Sequence, residues 1–128
     1  MDLHTIGVVG AGVVGTGRVL TGLYFLAQPR EGATAWVGES SAGTRCLVGS
    51  VGGRDVAIGA GVLWALATDS SATPWVLASV ASDLADAGFA ASTLDRDHRK
   101  RAVAAAGGFA ALGLATAALL AGSAILRR

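Results

Sequence analysis

At 128 residues the chain has the length of one domain, but it is 52% hydrophobic and only 15% charged, with 19 glycines. Soluble domains average about a quarter charged residues, so this composition argues against one. The net charge of +1 removes any bulk electrostatic case for nucleic acid, and the single cysteine, Cys46, excludes an intramolecular disulfide and a cysteine-based metal motif.

The opening stretch MDLHTIGVV carries no Lys or Arg ahead of its apolar run, unlike a secretory signal peptide, and is expected to belong to the mature chain. The first apolar run, 6–27, contains GAGVVG, a match to the glycine fingerprint of dinucleotide-binding folds. That fingerprint needs a strand before it and a second strand ending in an acid about 20 residues on. Glu31 has the distance, but it follows Pro29 with no apolar β-run leading in. Gly7, Ala11, Gly15, Arg18 and Gly22 instead fall within about an 80° stripe of one helix, where small residues let membrane helices approach closely. The glycines are therefore expected to form a packing face.

Residues 28–45, QPREGATAWVGESSAGTR, read as a loop in which EGATAWVG forms a short interfacial segment. The second run, 46–67, carries Arg54 and Asp55 in VGGRDVAIG, with Asp55 on one stripe with Gly52 and Gly59. After the turn TDSSAT comes the third run, 74–94, with Pro74 in its first turn and Thr73 as the expected N-cap. Ser79, Asp83, Asp86, Ala90 and Thr93 share one face of it. DRDHRKR, 95–101, reads as a solvated basic loop that meets anionic headgroups, with His98 as a surface histidine. The last run, 102–126, has no charge; its small stripe (Ala104, Gly108, Ala111, Ala115, Ala118, Gly122) suits a buttress. Trp36, Trp64 and Trp75 lie near the ends of these runs, where aromatic side chains anchor at membrane interfaces.

About 20 apolar residues at 1.5 Å each cross a ~30 Å hydrocarbon layer, so the four runs predict an all-α, four-transmembrane-helix bundle in a single domain. Arg30, Arg45, Arg96, Arg99, Lys100 and Arg101 fall in the two long loops; only Arg127 and Arg128 oppose them. The positive-inside rule then puts 28–45 and 95–101 in the cytoplasm and both termini outside the cell membrane.

The charges inside the spans carry the functional information, because a charge in hydrocarbon costs a few kcal/mol and needs a partner or a wet cavity. Arg18, Arg54 and Asp86 each lie roughly 12 Å from the cytoplasmic ends of their helices. Asp55 lies a step deeper and Asp83 a turn deeper, so three helices bring charge to one layer. Two arginines face three aspartates. Asp83, the deeper of its pair, is the expected surplus acid and a proton carrier.

Three functions follow. The chain could bind or act on a small lipophilic molecule, with Asp83 or Asp86 as general acid/base and Arg18, Arg54 and Asp55 as ligand-binding residues. It could be a proton-coupled carrier or channel subunit, which would require a homo-oligomer. It could also be a structural accessory protein whose charges only pair helices. Spacing for a metal site, a Ser–His–Asp arrangement and a nucleic-acid platform are all missing from the sequence, so no cofactor and no metal is expected. The partners expected are the bilayer, a lipophilic ligand and further copies of the chain.

The order of Gly17-Arg18, GLYFLAQP, AWVGE, GGRDVAIG, DLADAG and a basic turn before an alanine-rich last run resembles a family of small four-span integral membrane proteins. That family is common in actinobacteria and fungi and is catalogued as a domain of unknown function; its plan is similar to DoxX-like four-helix proteins. The resemblance covers nearly the whole chain, and Gly52-Gly53-Arg54-Asp55 is its most specific part. It implies a membrane location and four helices, with no catalytic assignment. The Ala, Gly and Arg content suits a high-GC bacterial source.

Overall fold

The computed structural model describes residues 2–126. Arg127 and Arg128, on which one side of the charge count rests, lie outside the described residues. The rest is all-helical, in the order α1 (Leu3–Ala27), α2 (Pro29–Val37), α3 (Ala42–Ala67), α4 (Thr73–Thr93) and α5 (Arg96–Leu126). Three helices, α1, α3 and α5, are long and apolar enough to cross a membrane. At 21 residues α4 has the length, but Asp83, Asp86 and its serines and threonines dilute its apolar character. GAGVVG lies wholly within the α-helix of α1, as a packing face requires and a phosphate loop does not.

Several boundaries differ from the sequence expectation, and at α3 and α5 a side-chain cap acts earlier than hydropathy suggests. The second span starts at 42 rather than 46, since the Ser41 hydroxyl accepts from the backbone N–H of Thr44 at 3.2 Å. Residues 95–101 are not a free loop. Asp95 Oδ1 accepts from the backbone N–H groups of Asp97 (3.0 Å) and His98 (3.2 Å), and the helix runs from Arg96 without a break into the alanine-rich run. These bonds, led by that from the His98 N–H and seconded by the His98 ring, hold the Asp95 carboxyl below the usual carboxylate range. At α4, Ala72 takes the N-cap position without a side-chain bond, and Thr73 is already helical.

The expected loop 28–45 contains α2. Pro29 opens it, where a missing N–H costs nothing, and Gly38 closes it in the left-handed conformation at φ 84°. A side chain at Gly38 would also meet the His98 ring, since a Cβ there would lie 2.6 Å from it. This contact brings the end of α2 to the start of α5. Phe25, Ala33 and Val48 seal α2 against α1 and α3, with Trp36 edge-on to Phe25 (centroids 5.6 Å apart, 77° between planes). Trp36 is thus half-buried inside the fold instead of anchoring at its edge, whereas Trp64 is exposed.

The predicted glycine stripe of α1 is buried throughout: Gly7, Ala11, Gly15, Arg18 and Gly22 all face inward. Gly15, Arg18 and Gly22 meet the matching face of α3, which carries Gly52, Asp55 and Gly59, while Gly7 meets Leu120 of α5. A Cβ on Gly22 would stand 2.5 Å from the Gly52 carbonyl oxygen, and one on Gly59 would stand 2.6 Å from the Gly15 carbonyl oxygen. The two backbones touch where larger residues would hold them apart. On the other side α4 lies along α5, with Val80 against Gly113. The buttress face of α5 is not the predicted stripe: Ala104, Gly108, Ala111, Ala115 and Ala118 are exposed, and Ala102, Ala106, Ala110, Gly113 and Ala117 face inward. In an alanine-rich helix two such stripes exist, and only tertiary contact chooses between them.

Leu20, Leu47, Trp64 and Phe89, 63–71% exposed, point outward while glycine, alanine and charge point inward. This reverses the distribution a helical bundle adopts in water.

Candidate functional site

Three helices deliver the charged residues to one place. Arg18 projects from the glycine face of α1, where the absence of neighbouring side chains leaves it a path between α3 and α4. Its Nη1 donates to Asp55 Oδ1 on α3 at 2.6 Å. Its Nη2 pairs with Asp83 Oδ1 on α4 and donates to the Ser79 carbonyl at 3.0 Å; its Nε donates to the Ser79 hydroxyl at 2.8 Å. Arg18, Asp55, Ser79 and Asp83 are all buried.

Arg54 lies one residue from Asp55 and turns the other way. Its Nε and Nη2 each donate to Asp55 Oδ1 at 3.2 Å. Its Nη1 and Nη2 grip both oxygens of Asp86, at 3.0 and 2.7 Å, in the forked geometry that makes arginine–carboxylate pairs strong. The result is an alternating chain, Asp86–Arg54–Asp55–Arg18–Asp83, with acids at both ends and a formal charge of −1. Alternation gives each cation two anionic neighbours, which offsets the cost of taking guanidinium groups out of water.

The two ends of the chain are unlike. Asp86 has both oxygens engaged. Asp83 gives one oxygen to Arg18, and its Oδ2 is buried with no hydrogen-bond partner among the described residues. An unpaired buried acceptor costs about 1–3 kcal/mol, more when charged. Asp83 lines a cavity of about 140 Å³ that is also walled by Arg18, Trp36, Asp86, Ala106 and Phe109.

The structure therefore brings together all five charges expected in one layer, and it assigns their partners. Asp83 is not a wholly unpaired acid; one oxygen is paired with Arg18 and the other is buried without a partner among the described residues. Arg18 and Arg54, expected as ligand-binding residues, have their guanidinium groups engaged with carboxylates and Ser79. His98 pairs with Asp95 at 2.8 Å, as a surface histidine would, and takes no part in the layer. No group of His, Cys, Asp and Glu among the described residues is arranged to hold a metal ion.

Two residues of the site were not singled out as such in the sequence. Ser79 stands one turn before Asp83 on the same face, so the signal was present in the stripe. Trp36 enters only because α2 folds back over the bundle, which no local pattern announces.

Comparison of the chain with family models, with curated proteins and with solved structures finds no match.

Proposed function

We propose that this chain is a multi-pass protein of the cell membrane, related to the four-span family its motifs resemble. In this reading α1, α3, α4 and α5 form a bundle, with 28–45 and 95–101 on the cytoplasmic side. The bundle binds a small lipophilic molecule carrying a hydrogen-bond donor, held at Asp83 Oδ2. The outward apolar surface and the three long apolar helices support the membrane location. The charges of α4 then cross hydrocarbon shielded by Arg18 and Arg54, as intramembrane aspartates require.

The observation that carries the binding reading is the unpartnered Asp83 Oδ2 beside a cavity. A role in pairing helices accounts for the other four charges of the layer and for one oxygen of Asp83, and leaves this second oxygen without a use. A donor placed there, a hydroxyl or an amine, removes the desolvation cost and adds a charge-assisted hydrogen bond. The net negative charge of the layer favours such a group over an anion. If the ligand reacts, Asp83 is the group placed to exchange a proton with it.

Native mass spectrometry of the protein released in mild detergent tests this. The expected result is a retained molecule of defined mass bearing a hydroxyl or amine. An empty chain, seen as a defined multimer or with a second protein bound, would replace this reading with a carrier subunit or a scaffold.

A further inference from the structure

The charged layer leaves a second and larger space unexplained. Between α3, α4 and the end of α2 lies a cavity of about 320 Å³, walled by Val48, Val51, Phe89 and Ala90 with Ser50 at its rim. Its one charged wall residue among those described is Asp86, whose two oxygens are both taken by Arg54. Leu47 and Phe89, 67% and 71% exposed, also border it, so it opens on the outer surface of the bundle.

This cavity and the one beside Asp83 share two wall residues, Trp36 and Asp86. Those side chains stand between a smaller compartment that holds the unpartnered acid, bordered by Val13, Phe109 and Leu112, and a larger one whose wall is mostly apolar. Size adds a constraint. The smaller compartment, about 140 Å³, accepts only a few groups of water size, each taking ~30 Å³ of liquid volume. Sites for small ligands begin at ~300 Å³. The smaller space alone falls short of that, and with its neighbour it does not.

We infer that the ligand is a long-chain amphiphile with a non-anionic, hydrogen-bond-donating head. The head sits at Asp83 Oδ2, and the hydrocarbon tail passes Trp36 and lies in the outer cavity between α3 and α4. The inference rests on the binding reading given above and specifies its ligand. Trp36, which walls both cavities, provides an apolar face for the tail, and the exposed Leu47 and Phe89 at the outer cavity let a tail enter sideways from lipid. An anionic head is disfavoured because the layer already carries one acid too many.

The test measures retention of butylamine, dodecylamine and dodecanoate by the purified protein in native mass spectra, at matched free concentrations. The wild-type protein is expected to hold dodecylamine roughly tenfold or more tighter than butylamine, because each buried methylene adds to binding, and to hold dodecanoate poorly. Ala90→Leu fills the outer cavity from within. Ser50→Phe blocks it from its exposed rim, where it imposes no overpacking. Each should bring dodecylamine to within about twofold of butylamine while butylamine retention stays unchanged. A chain-length gain that survives both substitutions overturns the tail assignment and leaves the Asp83 site standing. Retention of dodecanoate above dodecylamine overturns the head assignment. Binding that is indifferent to Asp83→Asn, or no binding of either amine, removes the site itself.

Discussion

On one flank of α3, Gly52 and Gly59 admit α1 until backbone touches backbone. On the other, α4 is reached across a gap by Arg54, and cavities fill the space between. The first flank is dry and sterically exact. The second is bridged directly by one ion pair, Arg54–Asp86, and indirectly through Arg18, which reaches both Asp55 and Asp83, and it stays open. α3 thus works as a fixed post on its α1 side and as one wall of a chamber on its α4 side. Small residues give rigidity without occupying volume, and long charged residues give attachment at a distance. The ligand site proposed above would use one of each.

The largest effect should come from breaking the alternating chain at Arg18. Arg18→Met removes the cation that ties α1 to both α3 and α4, leaving Asp55 and Asp83 short of a partner. The expected cost is about 3–5 kcal/mol of stability, read from unfolding in detergent. A loss below about 1 kcal/mol would mean that the pairs do not hold the flanks together.

Next comes the dry flank. Gly59→Val drives a side chain into the Gly15 carbonyl and should cost about 1–3 kcal/mol or more. Gly53→Ala, one residue from Gly52, meets nothing within contact distance. It should be neutral or stabilising by up to ~1 kcal/mol, the helix-propensity gain of alanine. If both substitutions cost the same, the close approach of α1 and α3 is not what holds that flank.

The smallest effect lies outside the spans. The Asp95 carboxyl is held below its ordinary value by the His98 N–H, so its contribution is present above the ordinary pKa of about 4 and is lost as pH falls through the lower folded value. Acidification should therefore fray the first turn of α5, seen as faster amide exchange at Asp97 and His98, while the layer beneath keeps its structure. Fraying that begins instead as pH rises would contradict the cap.

The contrast between the flanks also explains what the sequence disclosed. The α1 seam was legible because its glycines recur at helical spacing, and a packing face made of missing side chains has few alternatives. The charged layer was legible as a depth, since each residue's distance from its span end is fixed by the helical rise. Its wiring was not. Whether Arg18 meets Asp83 or Asp86 depends on the rotation of α4 within a single turn. Hydropathy also hid α2 and with it Trp36, because a nine-residue helix with Pro, Arg and Glu in its first turn resembles a loop. On α5 it left two small stripes equivalent, and the interior took the one not expected.

The most direct measurement compares the bound molecule and the melting temperature of wild type and Asp83→Asn in one preparation. Asparagine keeps an oxygen for Arg18 but replaces the open acceptor with a donor. The account predicts that the retained molecule is lost while the protein stays folded and at normal membrane levels. Loss of the folded protein itself, or retention of the molecule unchanged, would contradict it.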